Sequence, residues 1–176
     1  VINKLVKMAW NLNTKNLQTD INDLYKKTLV INVQGDQPFL NPEIILEMIK
    51  VCSKSNLIPE IITPIYRLSK ENIHNPAVVK TLISNNDNVI YFSRSALPHV
   101  RGKVLEEWYK YAQYWGHVGI YGYRADILKS WDKLPASKLE DSEKLEQLRL
   151  IDAGYNIKTF KIDEDSLSID TIEQLE

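Results

Sequence analysis

Thr28-Leu29-Val30-Ile31-Asn32-Val33 runs straight into Gln34-Gly35-Asp36-Gln37-Pro38, and Asn41-Pro42-Glu43 follows shortly after. The first six residues are largely β-branched and apolar, the composition of a buried strand in a parallel sheet. Asn41 suits a helix N-cap, Pro42 the first helical position and Glu43 the first turn. Ile44, Ile45, Met48 and Ile49 would form the apolar side of that helix, with Cys52 a small core residue on it. Strand, polar turn and helix make a βα unit, and ligands in open α/β sheets sit at the carboxyl ends of strands. There Gly35 lets the backbone come close to a ligand. Asp36 can offer hard oxygens to Mg²⁺ or simply hydrogen-bond its own turn.

Outward from this unit, residues 2–11 have the apolar spacing of an amphipathic helix, and residues 12–23 read as a loop leading into a short helical turn. Residues 58–66 are a strand candidate interrupted by Pro59 and Pro64. Residues 78–83 and 89–92 form a hairpin pattern around Asn85-Asn86-Asp87-Asn88. Residues 99–116 are basic and aromatic. Residues 118–123 read as one strand, 125–131 as a short helix, and 142–153 as a longer helix with Leu145, Leu148 and Ile151 inward. Residues 157–162 are a last strand, and Asp170-Thr171 caps a terminal helix. Strands alternating with helices indicate a layered α/β fold.

Composition narrows the classes. The chain has 176 residues, a formal net charge of -1, 44% hydrophobic and 26% charged residues. That is the balance of an ordinary globular domain. No apolar run is long enough for a membrane span, and Val1-Ile2-Asn3-Lys4-Leu5 has no signal-peptide shape, so a cytoplasmic protein without membrane insertion is expected. The single Cys52 excludes an internal disulfide. A near-neutral charge argues against nucleic-acid binding by a bulk positive field, although the stretch 99–115 could stack RNA bases. Charge is uneven, with a net of -7 over residues 139–176 and +6 over residues 1–138. Most of those carboxylates suit a solvated surface, and one or two could bind a cation. None of the six glycines precedes Gly35, so no Gly-rich phosphate loop lies near the start.

Six ordered blocks then carry a resemblance. Val-Asn-Val-Gln-Gly-Asp-x-Pro with a helix-opening Pro-Glu resembles the stretch around Asn32 to Glu43. Asn75-Pro76 with Val78-Val79-Lys80, Tyr91-Phe92-Ser93-Arg94-Ser95-Ala96-Leu97-Pro98, and His117-Val118-Gly119-Ile120-Tyr121-Gly122-Tyr123-Arg124 follow. Leu139-Glu140 with Glu143 to Arg149, and Ile169-Asp170-Thr171 with Glu173-Gln174-Leu175, complete the set. In this order they resemble the 3-deoxy-manno-octulosonate (Kdo) cytidylyltransferases, the CMP-Kdo synthetases, from about residue 28 onward.

The resemblance implies a three-layer nucleotidyltransferase fold with a Rossmann-like mixed sheet. It implies CTP and Kdo as substrates, CMP-Kdo for lipopolysaccharide assembly and pyrophosphate as products, and Mg²⁺ as cofactor. It implies Asp36 and Asp170 as the catalytic metal carboxylates. Arg94 would face the sugar carboxylate, where a guanidinium grips bidentately. His117 and Tyr121 would hydrogen-bond sugar hydroxyls, and Gln34 would lie beside sugar or nucleotide. Glu146 and Gln147 would border the sugar pocket, pointing ~100° apart on one helix. Tyr123 and Arg124 would be structural or peripheral. The stretch 99–115 becomes a variable segment near the sugar site and a homodimer contact. Asp170 alone could equally be a helix N-cap.

Two family segments, the Pro-Ala-Arg-x-x-Ser loop that holds the CTP phosphates and a His-x-Ser-Gly-Thr-Asp-Arg stretch, have no counterpart here. Gln37 replaces a usual Glu, and Ser168 stands where Gly is common. The expectation is therefore a partial single cytidylyltransferase domain over residues 1–176, N-terminally truncated and impaired alone. Alternatives are a cytidylyltransferase for a related acid such as 8-amino-Kdo, and a non-catalytic remnant that binds a partner chain or nothing.

Overall fold

Residue types with period-2 apolar patterning build the sheet in the computed structural model, which describes residues 21–33, 40–54 and 57–163. A short helix α1 (Ile21–Lys26) precedes strand β1 (Leu29–Asn32). Helix α2 (Pro42–Ser53) starts as its sequence dictates, with the Asn41 side chain accepting the Glu43 N–H at 3.0 Å and Pro42 at the first turn. It buries Ile44, Met48 and Cys52, while Ile49 is 44% exposed and does not belong to the apolar side.

The central strand is β2 (Ile61–Arg67), buried along nearly its whole length. On one edge it pairs parallel with β7 (Ile157–Ile162). On the other it pairs antiparallel with β5 (Trp115–His117) and β6 (Tyr121–Arg124). β1 adds antiparallel to β6, and β3 (Lys80–Ile83) adds to β5, with β4 (Val89–Ser93) beyond it. The sheet is thus mixed. β1 has an antiparallel ladder and is only half-buried, unlike the buried parallel strand its composition suggests.

Two further expectations change. The run 118–123 is not one strand, because β5 and β6 are separated by Val118-Gly119-Ile120. The Thr63 hydroxyl donates to the freed carbonyls of Val118 (3.2 Å) and Ile120 (2.9 Å), which satisfies buried groups that no strand pairs. Pro64 is tolerated in a central strand because it lies between the two antiparallel ladders, at Ile61–Ile62 and Ile65–Arg67. The run 142–153 is likewise not one helix. It is the end of α4 (Lys138–Glu143), a break with Lys144 at φ 55, and α5 (Leu148–Asp152). The β3–β4 hairpin forms around Asp87 at φ 54, as its Asn/Asp-rich turn predicts.

Alternation sends Ile62 and Tyr66 to one face and Ile61 to the other. The first face packs Met48 and Cys52 of α2 with Trp108, Tyr114 and Phe160. The second packs Tyr121, Tyr123 and Phe92 against Ile127 of α3 (Ala125–Lys129), Leu145, and Leu148 and Leu150 of α5. Three layers result, and the second face carries the site. Arg124 is structural, as expected. It forks onto Asp126 at 2.7 and 2.9 Å.

Candidate active site

Tyr121 and Tyr123 leave β6 on the same face because one residue, Gly122, separates them. Their rings stack at 5.6 Å, and Trp131 meets Tyr123 edge-on at 6.0 Å. His117, at the end of β5, reaches the Tyr121 hydroxyl through Nε2 at 2.6 Å, and Phe92 of β4 meets the imidazole edge-on at 5.2 Å. Two residues that the sequence places in one block are therefore in one hydrogen-bonded pair.

Burial lowers the His117 pKa to about 4, so its ring is neutral near pH 7. Burial raises the Tyr121 pKa well above its ordinary value, and the charges of Tyr123 and Glu146 add to it. Burial and then Glu146 act on Tyr123 in the same direction. Both phenols stay protonated near pH 7. Between pH ~6.5 and about 4 the unfolded chain binds a proton that folded His117 does not, so stability falls as pH drops through that window. Going from pH 7 to pH 5 is expected to cost about 1–2 kcal/mol through this group. Urea midpoints at the two pH values should differ less in a His117→Gln variant than in the parent. Equal differences would contradict the assignment.

Beside this pair a cleft of about 420 Å³ is lined by Val30, Ile31, Asn32, Tyr123, Leu128, Trp131 and Glu146. Val30, Ile31 and Asn32 place it at the end of β1. Apolar walls with a few convergent polar groups are the usual make-up of a small-molecule site. Glu146 is exposed at its rim. The helix break at Lys144 is what puts it there. Gln147 is buried at the N-cap position of α5, so the two residues are not neighbours on one regular helix as the sequence suggested.

Arg94 follows the end of β4. Its Nε donates to the Glu143 carbonyl at 2.9 Å and its Nη1 to the Pro76 carbonyl at 3.2 Å. The guanidinium is fixed by main-chain oxygens, and Nη2 has no hydrogen-bond partner among the described residues. Gln34, Asp36 and Asp170 lie outside the described residues. Among the described residues no group of three or more His, Cys, Asp or Glu side chains could hold a metal ion, and no helix is long and apolar enough to cross a membrane.

Sequence reasoning missed Tyr123 and Trp131 as cleft walls, and Asn32 as its polar edge. The alternation of β6 could have found Tyr123, since it shares a face with Tyr121. Nothing local marks Trp131, which reaches the cleft from the helical turn Trp131–Lys133 after α3.

Comparison with known proteins bears on this arrangement. The family model described as "Cytidylyltransferase" matches residues 9–162. A 3-deoxy-manno-octulosonate cytidylyltransferase of Parabacteroides distasonis is 38% identical over 153 residues, 84% of this chain and 60% of the relative. That of Thermodesulfovibrio yellowstonii is 40% identical over 155 residues, 88% of this chain and 60% of the relative. The chain thus spans about 60% of the length of the curated relatives it matches. A solved CMP:2-keto-3-deoxy-manno-octonic acid synthetase complexed with CTP superposes with a TM-score of 0.76 at 30% identity, covering 99% of this chain and 64% of that one. By the family model over residues 9–162 and this superposition, the chain belongs to the cytidylyltransferase family.

Proposed function

We propose that the protein transfers CMP from CTP to Kdo, giving CMP-Kdo and pyrophosphate. The anomeric hydroxyl oxygen attacks the α-phosphorus, the bond from that phosphorus to the oxygen bridging to the β-phosphate breaks, and the hydroxyl proton is released to solvent. The observation that supports this most is the hydrogen-bonded His117–Tyr121 pair, with Tyr121 opposite Asn32 at the end of β1 and in electrostatic contact with Glu146 of the adjoining cleft. Sugar hydroxyls need both donors and acceptors. With the neutral His117 proton on Nε2, that N–H donates to the Tyr121 oxygen and leaves the phenolic O–H, still present at pH 7, to donate to the sugar, while Glu146 supplies an acceptor. Arg94, aligned by two carbonyls, presents its remaining N–H groups to a sugar carboxylate. Orientation of the nucleophile by such groups lowers the entropic part of the barrier.

For the cofactor the reading takes Mg²⁺, held by Asp36 and Asp170. Carboxylate oxygens are the donors that a hard divalent cation prefers. When bound, the cation neutralises triphosphate charge and polarises the α-phosphoryl group. Gln34, next to Gly35, is assigned to the sugar or nucleotide. Titration with CTP and Mg²⁺ followed by calorimetry tests this reading. Saturable heat is expected, and no heat would favour a non-catalytic remnant.

The same reading carries a cytoplasmic setting, a product destined for lipopolysaccharide assembly, and a homodimer. Support for the dimer is an exposed apolar group on the segment after Pro98, where Val104 is 61%, Leu105 53% and Tyr111 52% exposed. Sedimentation equilibrium reads it directly, and a 20.4 kDa monomer at micromolar concentration would contradict it.

A further inference from the structure

Arg94 is useful to an acidic sugar only if its guanidinium is held still, and one residue holds nearly everything around it. Glu143 is the last residue of α4. Its Oε1 accepts the Ser93 hydroxyl at 2.7 Å, and its Oε2 accepts the Arg94 backbone N–H at 2.9 Å. Its main-chain carbonyl accepts Arg94 Nε at 2.9 Å. Both carboxylate oxygens are thus spent on the strand end and the carbonyl on the guanidinium. Charge-assisted bonds of this kind are stronger and shorter than neutral ones.

Lys80 of β3, opposite Ser93 in the ladder, is fully buried and interacts electrostatically with Glu143. Its ammonium is tied to the carbonyls of Asn75 (2.8 Å) and Val78 (2.7 Å). Immediately after Glu143 the chain turns through Lys144 in the left-handed region, buries Leu145, and delivers Glu146 to the cleft. One residue therefore joins the strand that carries Arg94 to the turn that carries Glu146.

We propose that Glu143 is the positioning residue for Arg94, fixing its guanidinium for the carboxylate of an acidic sugar while touching no substrate itself. This rests on the proposed function. Kinetics of pyrophosphate release test it. Glu143→Ala is expected to raise KM for Kdo about tenfold, with KM for CTP and kcat within about threefold of the parent. Glu143→Gln should restore Kdo KM to within about threefold, because its amide oxygen can accept from Arg94 N–H while its NH₂ donates to Ser93 Oγ. Glu140→Ala is the control. It lies on α4 like Glu143 and breaks the 2.6 Å ion pair to Arg149 of α5 without touching Arg94, so it should lower the melting temperature and leave Kdo KM unchanged. If Glu143→Ala does not fold, Glu143→Asp, one methylene short, should still raise Kdo KM about fivefold. An unchanged Kdo KM, or an equal rise in Glu140→Ala, overturns the inference alone. A parent protein that releases no pyrophosphate with any acidic sugar overturns the proposed function and this inference with it.

Discussion

Exchanging Asp36 for Ala is expected to slow Mg²⁺-dependent CMP transfer by about a thousandfold, equal to ~4 kcal/mol of transition-state stabilisation. The physical reason is charge. A nucleoside triphosphate repels an incoming oxygen nucleophile, and a leaving pyrophosphate needs its new charge met as the bond breaks. The side chains in and beside the cleft cannot do this. His117 is neutral, Tyr121 is a protonated phenol and Glu146 contributes negative charge. Among the named site residues only Arg94 is cationic, and it is assigned to the sugar. On the proposed function the triphosphate would therefore depend on a bound cation, and Asp36, four residues after Asn32 in the sequence, is the carboxylate assigned to hold it. Asp36→Asn should be nearly as damaging, since it keeps the shape and loses the charge. Chelation with EDTA should reproduce the loss in the parent. Initial rates of pyrophosphate release over a Mg²⁺ series check the claim. A variant within tenfold of the parent would contradict it.

The second large effect is on the fold. Gly122→Val is expected to destabilise the protein by about 3 kcal/mol and lower its melting temperature by roughly 6–12 °C. A Cβ at this position would stand 2.7 Å from Ile62 Cγ2, 2.8 Å from Met48 Sδ and 3.1 Å from Leu29 Cδ1. Met48 can give way, but Ile62 has no exposure and sits in the central strand. Helix α2 can lie against β6 only while residue 122 has no side chain. Displacing β6 would also move Tyr121 and Tyr123, which leave the strand on the opposite face. The variant should thus lose sugar affinity together with stability, whereas Gly102→Ala, with open space around it, should be steric-clash-free and limited to the strain of its φ of 76°. A melting shift under 2 °C for Gly122→Val would contradict the packing described.

What could be read from the sequence was what local chemistry decides. Asn41, Pro42 and Glu43 opened a helix because capping is a short-range matter, and Asn85 to Asn88 turned a hairpin for the same reason. The partner of β1 was not legible. A β-branched run states that a strand is apolar, not which neighbour it pairs with, and tertiary context gave it the antiparallel β6. The helix break at Lys144 was hidden because a lysine in the left-handed region carries no signal of its own, in contrast to a glycine. That break decides the site, since it separates exposed Glu146 from buried Gln147. His117 and Tyr121 were recognisable as a pair through the motif that contains both. Glu143 was in a quoted block and still went unassigned, because its partners are a hydroxyl and an N–H on a distant strand.

The central claim is that this cleft serves an acidic sugar in nucleotidyl transfer from CTP. Pyrophosphate release measured with CTP and Mg²⁺ against Kdo, 8-amino-Kdo and a neutral ketose of similar size tests it most directly. The expected result is CTP-dependent release with Kdo, and at least about a hundredfold less with the neutral ketose, which leaves Arg94 without its charge partner. Release that is independent of the sugar carboxylate, or absent with every acidic sugar, would contradict it.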